Sequence, residues 1–423
     1  MEKKQPKASR LKNFLSTLGP GVITGAADDD PSGIATYSIA GAQLGTDLLW
    51  TAWLTWPLMA CVQMMCARIG MVTGQGLASA LRQKFPRPVM ILVSLSLMIA
   101  NTVNIGSDLA GMADAAEMLT GFSSHFFVVL FGAGIGIAII WFPYAQITNV
   151  LKWLALTLFA YIVTAFLVRP DWGVVVKAAI IPSLPAGKDE WSTLVAILGT
   201  TISPYLFFWQ ASQEVEEEKA KGRHLLVNRR GATSKEIKDR LVDVSIGTFF
   251  SNLVMFFIIL TTALTLHAHG LTNITTSKEA AEALRPLAGN LAYLLYTVGI
   301  IGVGLLAIPT LSGSAAYAFS EVFHWNTGLD QTFKHARAFY GVIIVSTLCG
   351  IALDFTRINP LQALYWTAII NGVLAPFLLV GIFIIARDKV VMRGQPSSIV
   401  SQIVVFITML MMFGAAIAMF TVG

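Results

Sequence analysis

The sequence predicts an all-α integral membrane protein with eleven transmembrane helices, ten of them forming two five-helix repeats of opposite topology. Three observations carry this. Charge is scarce: 13% of the 423 residues are charged and 55% are hydrophobic, where soluble domains carry about 25% charged residues. The apolar residues gather in eleven stretches, rich in Gly and Ala and without period-2 alternation. That suits helices of about 20 residues rather than a barrel. Two of these stretches, five apart, are interrupted by proline in corresponding places.

The stretches run 14–45, 47–73, 88–119, 124–145, 147–168, 193–213, 241–267, 288–322, 336–355, 361–386 and 398–421. Within one transmembrane domain, 1–423, the first repeat is read as 14–168 and the second as 193–386, with 398–421 an additional helix. Five spans per repeat is an odd number, so the repeats are inverted. Lys and Arg cluster in the tail MEKKQPKASRLK and after spans two, six, eight and ten. The positive-inside rule then places the N-terminus in the cytoplasm and the C-terminus outside. The tail lacks the short apolar run and cleavage site of a signal peptide and reads as cytoplasmic. The +5 net charge therefore speaks to orientation and not to nucleic acid. Cys61, Cys66 and Cys349 lie in apolar segments without metal-ligand spacing and read as buried hydrophobes.

The first interruption is Asp30-Pro31, inside GAADDDPSGIATYS, and the sixth span breaks at Ser203-Pro204, inside LGTTISPYLFFWQ. Proline removes a backbone donor, and in lipid the freed groups must face protein, water or ligand. Either proline alone could simply kink its helix. Paired breaks in corresponding positions instead point to a transporter's midplane binding site.

A carboxylate at mid-bilayer costs about 2.5–3.5 kcal/mol on insertion scales and is functional by default. Asp30 and the carbonyls of the unwound segment attract a cation, and Thr200, Thr201 and Ser203 offer hydroxyls opposite. Every candidate ligand at the two breaks is oxygen, which suits Mg²⁺, Ca²⁺ or Mn²⁺ over softer metals. Gly33 leaves room beside Asp30 for a partly hydrated ion, as Mg²⁺ prefers. Asp28 and Asp29 are candidates for an aqueous cation approach, the alternative being a solvated part of the broken segment. Glu214, heading Glu216, Glu217 and Glu218, is a candidate for the inner exit, although the run also reads as a solvated helix end.

These residues resemble the NRAMP family of divalent-metal transporters. Residues 19–45 are similar to its first helix, 199–212 to its sixth and 105–112 to part of its third. The resemblance implies a LeuT-type inverted-repeat fold. The family's Asp-Pro-Gly-Asn reads here Asp30-Pro31-Ser32-Gly33, and its Ala-x-x-Met-Pro-His reads Thr200-Thr201-Ile202-Ser203-Pro204-Tyr205. The binding Asp is kept, its Asn becomes Gly33, its Met becomes Ser203, and the carbonyl-supplying residue becomes Thr200. This pattern resembles the NRAMP-related magnesium transporters, which implies uptake of largely hydrated Mg²⁺ with Mn²⁺ also carried. The family's sixth-helix histidines match Tyr205 and Gln210, and its third-helix acids match Asn101, Asp108 and Gly111. With only Asp108 ionisable among these, the reading is transport without proton coupling. A dication gains about 4.6 kcal/mol per 100 mV of inside-negative potential, enough for roughly three decades of accumulation.

The nearest alternative is a proton-coupled Mn²⁺/Fe²⁺ transporter. A sodium-coupled symporter of an anionic solute is disfavoured by the acidic run. An intramembrane hydrolase using Asp30 and Asp108 lacks a second acid in a matching break, so the chain is not read as an enzyme. GKDEW (187–191) lacks the glycine pattern of a phosphate loop, so no nucleotide and no cofactor is expected. His267 and His269 have metal-like spacing on an outer loop, and Asp114 and Glu117 lie near the outer end of the third span. The expected partners are the divalent ion and the lipid of a prokaryotic plasma (inner) membrane, with the chain acting as a monomer.

Overall fold

The computed structural model describes residues 20–142, 154–356 and 358–422, and among them it is all-helical. The basic tail, the start of the first stretch (14–19) and the junction of the fourth and fifth stretches lie outside the described residues. The first stretch is two helices, α1 (Pro20–Asp28) and α2 (Pro31–Leu44). Next come α3 (Thr51–Thr73), α4 (Arg87–Thr120), α5 (Ser124–Trp141) and α6 (Phe159–Leu167). The sixth stretch is again double, α7 (Lys188–Thr201) and α8 (Pro204–Ala220). The chain continues through α9 (Ser234–Thr265), α10 (Ala292–Phe323), α11 (Arg337–Asp354), α12 (Pro360–Arg387) and α13 (Ile399–Thr421).

Eight described helical stretches are long and apolar enough to cross a membrane, with α7 and α8 taken together. Three others fall short for visible reasons. α1 and α2 are halves of one broken helix, α3 is diluted by Gln63 and Arg68, and α6 is the described end of a longer apolar segment. Leu92, Leu95 and Ile99 on α4, and Ile403, Leu410 and Ile417 on α13, are exposed on the outer surface, as a lipid-facing belt requires. Cys66 is buried as expected, whereas Cys349 lies on this outer surface.

The stretch 213–240, between the sixth and seventh apolar stretches, is mostly helix. α8 runs on through its glutamates to Ala220, and α9 opens at Ser234 behind a Thr233/Glu236 capping box. Charged sequence here extends helices because the charges pair with one another, as described below. A further short helix, Trp172–Ile180, is capped by Asp171.

Lipid gives helices no hydrophobic reason to associate, so close packing through small residues must do it. A Cβ on Gly25 would lie 2.4 Å from the Gly247 backbone, so α1 touches α9 main chain to main chain. A Cβ on Gly199 would lie 2.0 Å from the Ala368 carbonyl, which seats α7 equally tightly on α12. The two broken helices are thus each pressed onto an unbroken one. Gly25→Ala should destabilise the protein by about 1–3 kcal/mol through backbone overlap. Gly134→Ala, where a methyl meets open space, should leave the melting point unchanged or raise it. Thermal unfolding in detergent compares the two.

Candidate metal centre

Asp30 is the N-cap of α2, with extended backbone (φ −70, ψ 171). Its Oδ1 accepts hydrogen bonds from the Gly33 amide and the Ser32 hydroxyl, both at 2.7 Å. Its Oδ2 accepts from Asn104 Nδ2 of α4 at 3.1 Å. An ionised carboxylate has about four acceptor positions, so capping leaves one open on Oδ2. The same Asn104 nitrogen donates to Asp108 Oδ2 at 3.3 Å. Asp108 is therefore joined to Asp30 through one amide.

The second break meets the first. The Tyr205 hydroxyl donates to the Ala27 carbonyl at 2.9 Å, closing an open carbonyl of α1 with a side chain of α8. The niche a side chain would fill at Gly33 is bounded by Thr200 Oγ1 at 3.1 Å, the Tyr37 ring at 3.4 Å and the Asp28 carbonyl at 3.5 Å. Ser203 Oγ donates to the Gly199 and Thr200 carbonyls at 2.8 and 2.7 Å, and Thr201 Oγ1 to the Ile197 carbonyl at 2.8 Å. Both hydroxyls turn back into α7, and only that of Thr200 faces Gly33. Asp30, Thr200 and Ser203 are at most 2% exposed. The room expected beside Gly33 is thus a narrow niche, closed to solvent in this state.

Asp28 and Asp29 do not line an aqueous approach here. Gly21, Gly25 and Asp28 follow one another on the face of α1 pressed against α9, and this turns Asp28 inward. Its Oδ2 and Asp29 Oδ1 accept from the single Ser251 hydroxyl at 2.6 and 3.1 Å. Asp28 Oδ1, Asn104 Oδ1 and Asp108 Oδ1 are buried with no hydrogen-bond partner among the described residues. These are oxygen acceptors without donors, which suit a cation rather than an anion. Among the described residues no three His, Cys, Asp or Glu side chains converge on one point, so a cation here draws on carbonyl, hydroxyl and amide oxygens as well.

The sequence profile of the natural resistance-associated macrophage protein-like (Nramp) family matches residues 21–422. The chain belongs to the Nramp family. A protein named divalent metal cation transporter MntH from Yersinia pestis (strain Pestoides F) is 30% identical over 311 residues, 71% of each chain. One of that name from Pectobacterium carotovorum is 28% identical over 379 residues, covering 86% of this chain and 85% of the other. A crystal structure of the Eremococcus coleocola manganese transporter superposes with a TM-score of 0.77 at 16% identity, covering 98% of this chain and 88% of that one. Mhp1, a nucleobase-cation-symport-1 family transporter in a closed conformation, gives 0.57 at 15% identity over 95% and 90% of the two chains. The fold is the LeuT-type inverted repeat with an eleventh helix. Nramp relatives carry metal ions as substrates and are not enzymes.

Asn101, Gly111 and Gln210, which the sequence reading set at replaced proton-path positions, take part in cross-links between helices. Asn101 Nδ2 donates to the Leu311 carbonyl and Ser314 Oγ, both at 2.8 Å, tying α4 to α10. Gly111 lets Leu364 of α12 approach, since a Cβ there would lie 2.8 Å from its Cδ1. Gln210 accepts from Thr24 Oγ1 of α1 and donates to Glu214 Oε1, both at 2.7 Å. The two outer histidines bond backbone, His267 to the Ala42 carbonyl and His269 to that of Thr265. Glu117 caps the next helix through the Ser124 amide.

Glu214 is buried and paired, not a solvated helix end. Arg240 of α9 holds it at 2.7 Å, holds Asp243 at 2.5 Å and also pairs with Glu217. Asp243 Oδ2 in turn accepts the Gly21 amide of α1 at 2.8 Å. A ring runs from Thr24 through Gln210, Glu214, Arg240 and Asp243 back to Gly21, fastening α1 to α8 and α9. Sequence reading missed Asn104, Ser251 and Arg240. Asn104 carried a signal, an amide one turn before Asp108 in an apolar helix. Removing one member of a buried ion network costs about 3–5 kcal/mol, so Arg240→Met should lower the melting temperature markedly. Arg223→Met, whose pairs are more exposed, should cost about 1 kcal/mol or less.

Proposed function

We propose that the chain takes up divalent metal cations, Mg²⁺ and also Mn²⁺, by alternating access around Asp30, Gly33, Thr200 and Ser203. The carrying observation is the buried Asp30 carboxylate, set among partnerless oxygen acceptors at the meeting of two helix breaks. Those breaks present no sulfur or imidazole donor. Hard cations bind such oxygen sets, whereas Cd²⁺ and Fe²⁺ gain most from softer ligands. The ion is read as entering with part of its water shell, when α7 and α8 part from α1 and α2 and widen the niche at Gly33.

Transport is read as uncoupled from protons. The link between Asp30 and Asp108 is an amide that donates N–H bonds to both carboxylates and does not give up its protons. Tyr205 and Gln210 stand where histidines would titrate near neutral pH. The second reading, proton-coupled Mn²⁺ transport, is favoured by the manganese and divalent-metal names of the relatives and by the reach of Asp108 to the site. The repeats at 14–168 and 193–386, a plasma-membrane location, a cytoplasmic N-terminus and a monomeric state belong to this proposal.

Flux into proteoliposomes with an internal pH dye separates the two readings. Mg²⁺ and Mn²⁺ should enter without acidification, Cd²⁺ poorly, and Asp30→Ala should reduce flux to background. Acidification accompanying Mn²⁺ entry without Mg²⁺ flux would select the alternative. Asn104→Leu removes the group orienting Asp30 and should weaken metal affinity about 10–100-fold, read as a raised KM for Mn²⁺. Gly33→Asn with Ser203→Met should shift preference toward Cd²⁺, since it adds an amide and a thioether where only oxygen now stands.

A further inference from the structure

On the face that carries the basic connections lies a cavity of about 350 Å³ unlike the metal centre in every respect. Four connections deliver its cationic lining. Arg82 comes from between α3 and α4, Arg230 from between α8 and α9, Arg393 from between α12 and α13, and His324 from the end of α10. Among the described residues no Asp or Glu lines it. Nearby acids are committed elsewhere. Asp388 pairs with Lys84 at 2.5 Å and accepts the Val390 and Val391 amides. Glu321 is turned to the Ser79 amide at 2.9 Å.

The guanidinium groups keep their charge at any relevant pH. Arg82 spends one nitrogen on the uncharged Glu321 and Val322 carbonyls and lies 3.3 Å from His324 Nδ1. Neither Arg230 nor Arg393 has a carboxylate partner among the described residues. Three fixed positive charges thus share one cleft, none of them in an ion pair among the described residues, beside the neutral polar groups Gln75 and Ser79.

The backbone adds an independent observation. Three described non-glycine residues have positive φ, and two of them, His324 (φ 59) and Arg393 (φ 48), line this cavity. Such conformations cost about 1–3 kcal/mol each and gather at functional sites. Val390, 84% exposed, stands at the rim and gives the cavity an apolar lip.

We propose that this cavity binds a phosphate-bearing anion, supplied by a phospholipid headgroup of the adjoining leaflet or by a soluble phosphate compound. Guanidinium forks match phosphate oxygens in pairs, and four connections converging on one anion give it more than a surface patch would. A bound anion would tie the loop after α3 to loops of the second half of the chain. It would thereby favour the arrangement seen here.

The test uses purified full-length protein in detergent with EDTA, so that cargo metal plays no part. Phosphatidylglycerol in mixed micelles and ATP are the two probes, with binding read by native mass spectrometry and by thermal shift. Wild type should bind at least one probe. Arg230→Gln with Arg393→Gln, both at exposed positions, should weaken that binding about tenfold or more. Arg387→Gln, outside the cavity, should not. Binding of phosphatidylglycerol alone assigns a headgroup, and of ATP alone a soluble phosphate. Should the double variant melt abnormally without probe, Arg230→Gln alone is read instead. Absence of binding by both probes, or wild-type affinity in the variant, overturns the proposal.

Discussion

A peptide group left without a hydrogen-bond partner in lipid costs several kcal/mol, and this chain interrupts two helices where water is scarce. Everything at the centre follows from how those interruptions are repaired. Asp30 satisfies the start of α2, Tyr205 from the other break satisfies the end of α1, and Ser203 folds back on the carbonyls of α7. Each break is mended partly by itself and partly by its counterpart. The two cannot separate without reopening polar groups, so the candidate metal centre and the contact between the two breaks are one piece of structure.

The repair leaves an asymmetry of charge. Donors are used up on carbonyls and on some of the carboxylate oxygens, both of Asp30's among them, while several carboxylate and amide oxygens are left over among the described residues. A site with surplus acceptors attracts cations whatever its detailed geometry. Asn101 and Gln210 meanwhile hold helices together, Asn101 on the Leu311 carbonyl and Gln210 on Glu214.

The helical architecture was legible because lipid imposes a simple rule on long apolar runs, and the ends of α4, α11, α12 and α13 fall within two residues of the sequence reading. Asp30 and its partner break were legible because proline and charge are conspicuous in such runs. The fate of Asp28, Glu214 and the connection at 213–240 was not. Their burial depends on Gly25 meeting Gly247 and on Arg240 reaching back from α9, and neither has a local signature. Asn104 escaped because an amide in a helix looks ordinary until its neighbour across the bundle is known. The basic cavity escaped for the same reason, its three arginines and His324 being spread from position 82 to 393.

The nine residues of α1 are fastened to α9 at one end by the Gly21 amide on Asp243 and at the other by Asp28 on Ser251. Between these points glycine lies on glycine, with no space for sliding or for rotation about its own axis. A lever pinned to one beam at both ends travels with that beam or comes off it whole. Any change of angle between α1 and α2 then falls on the joint at Asp29 and Asp30, the one stretch between them outside helix.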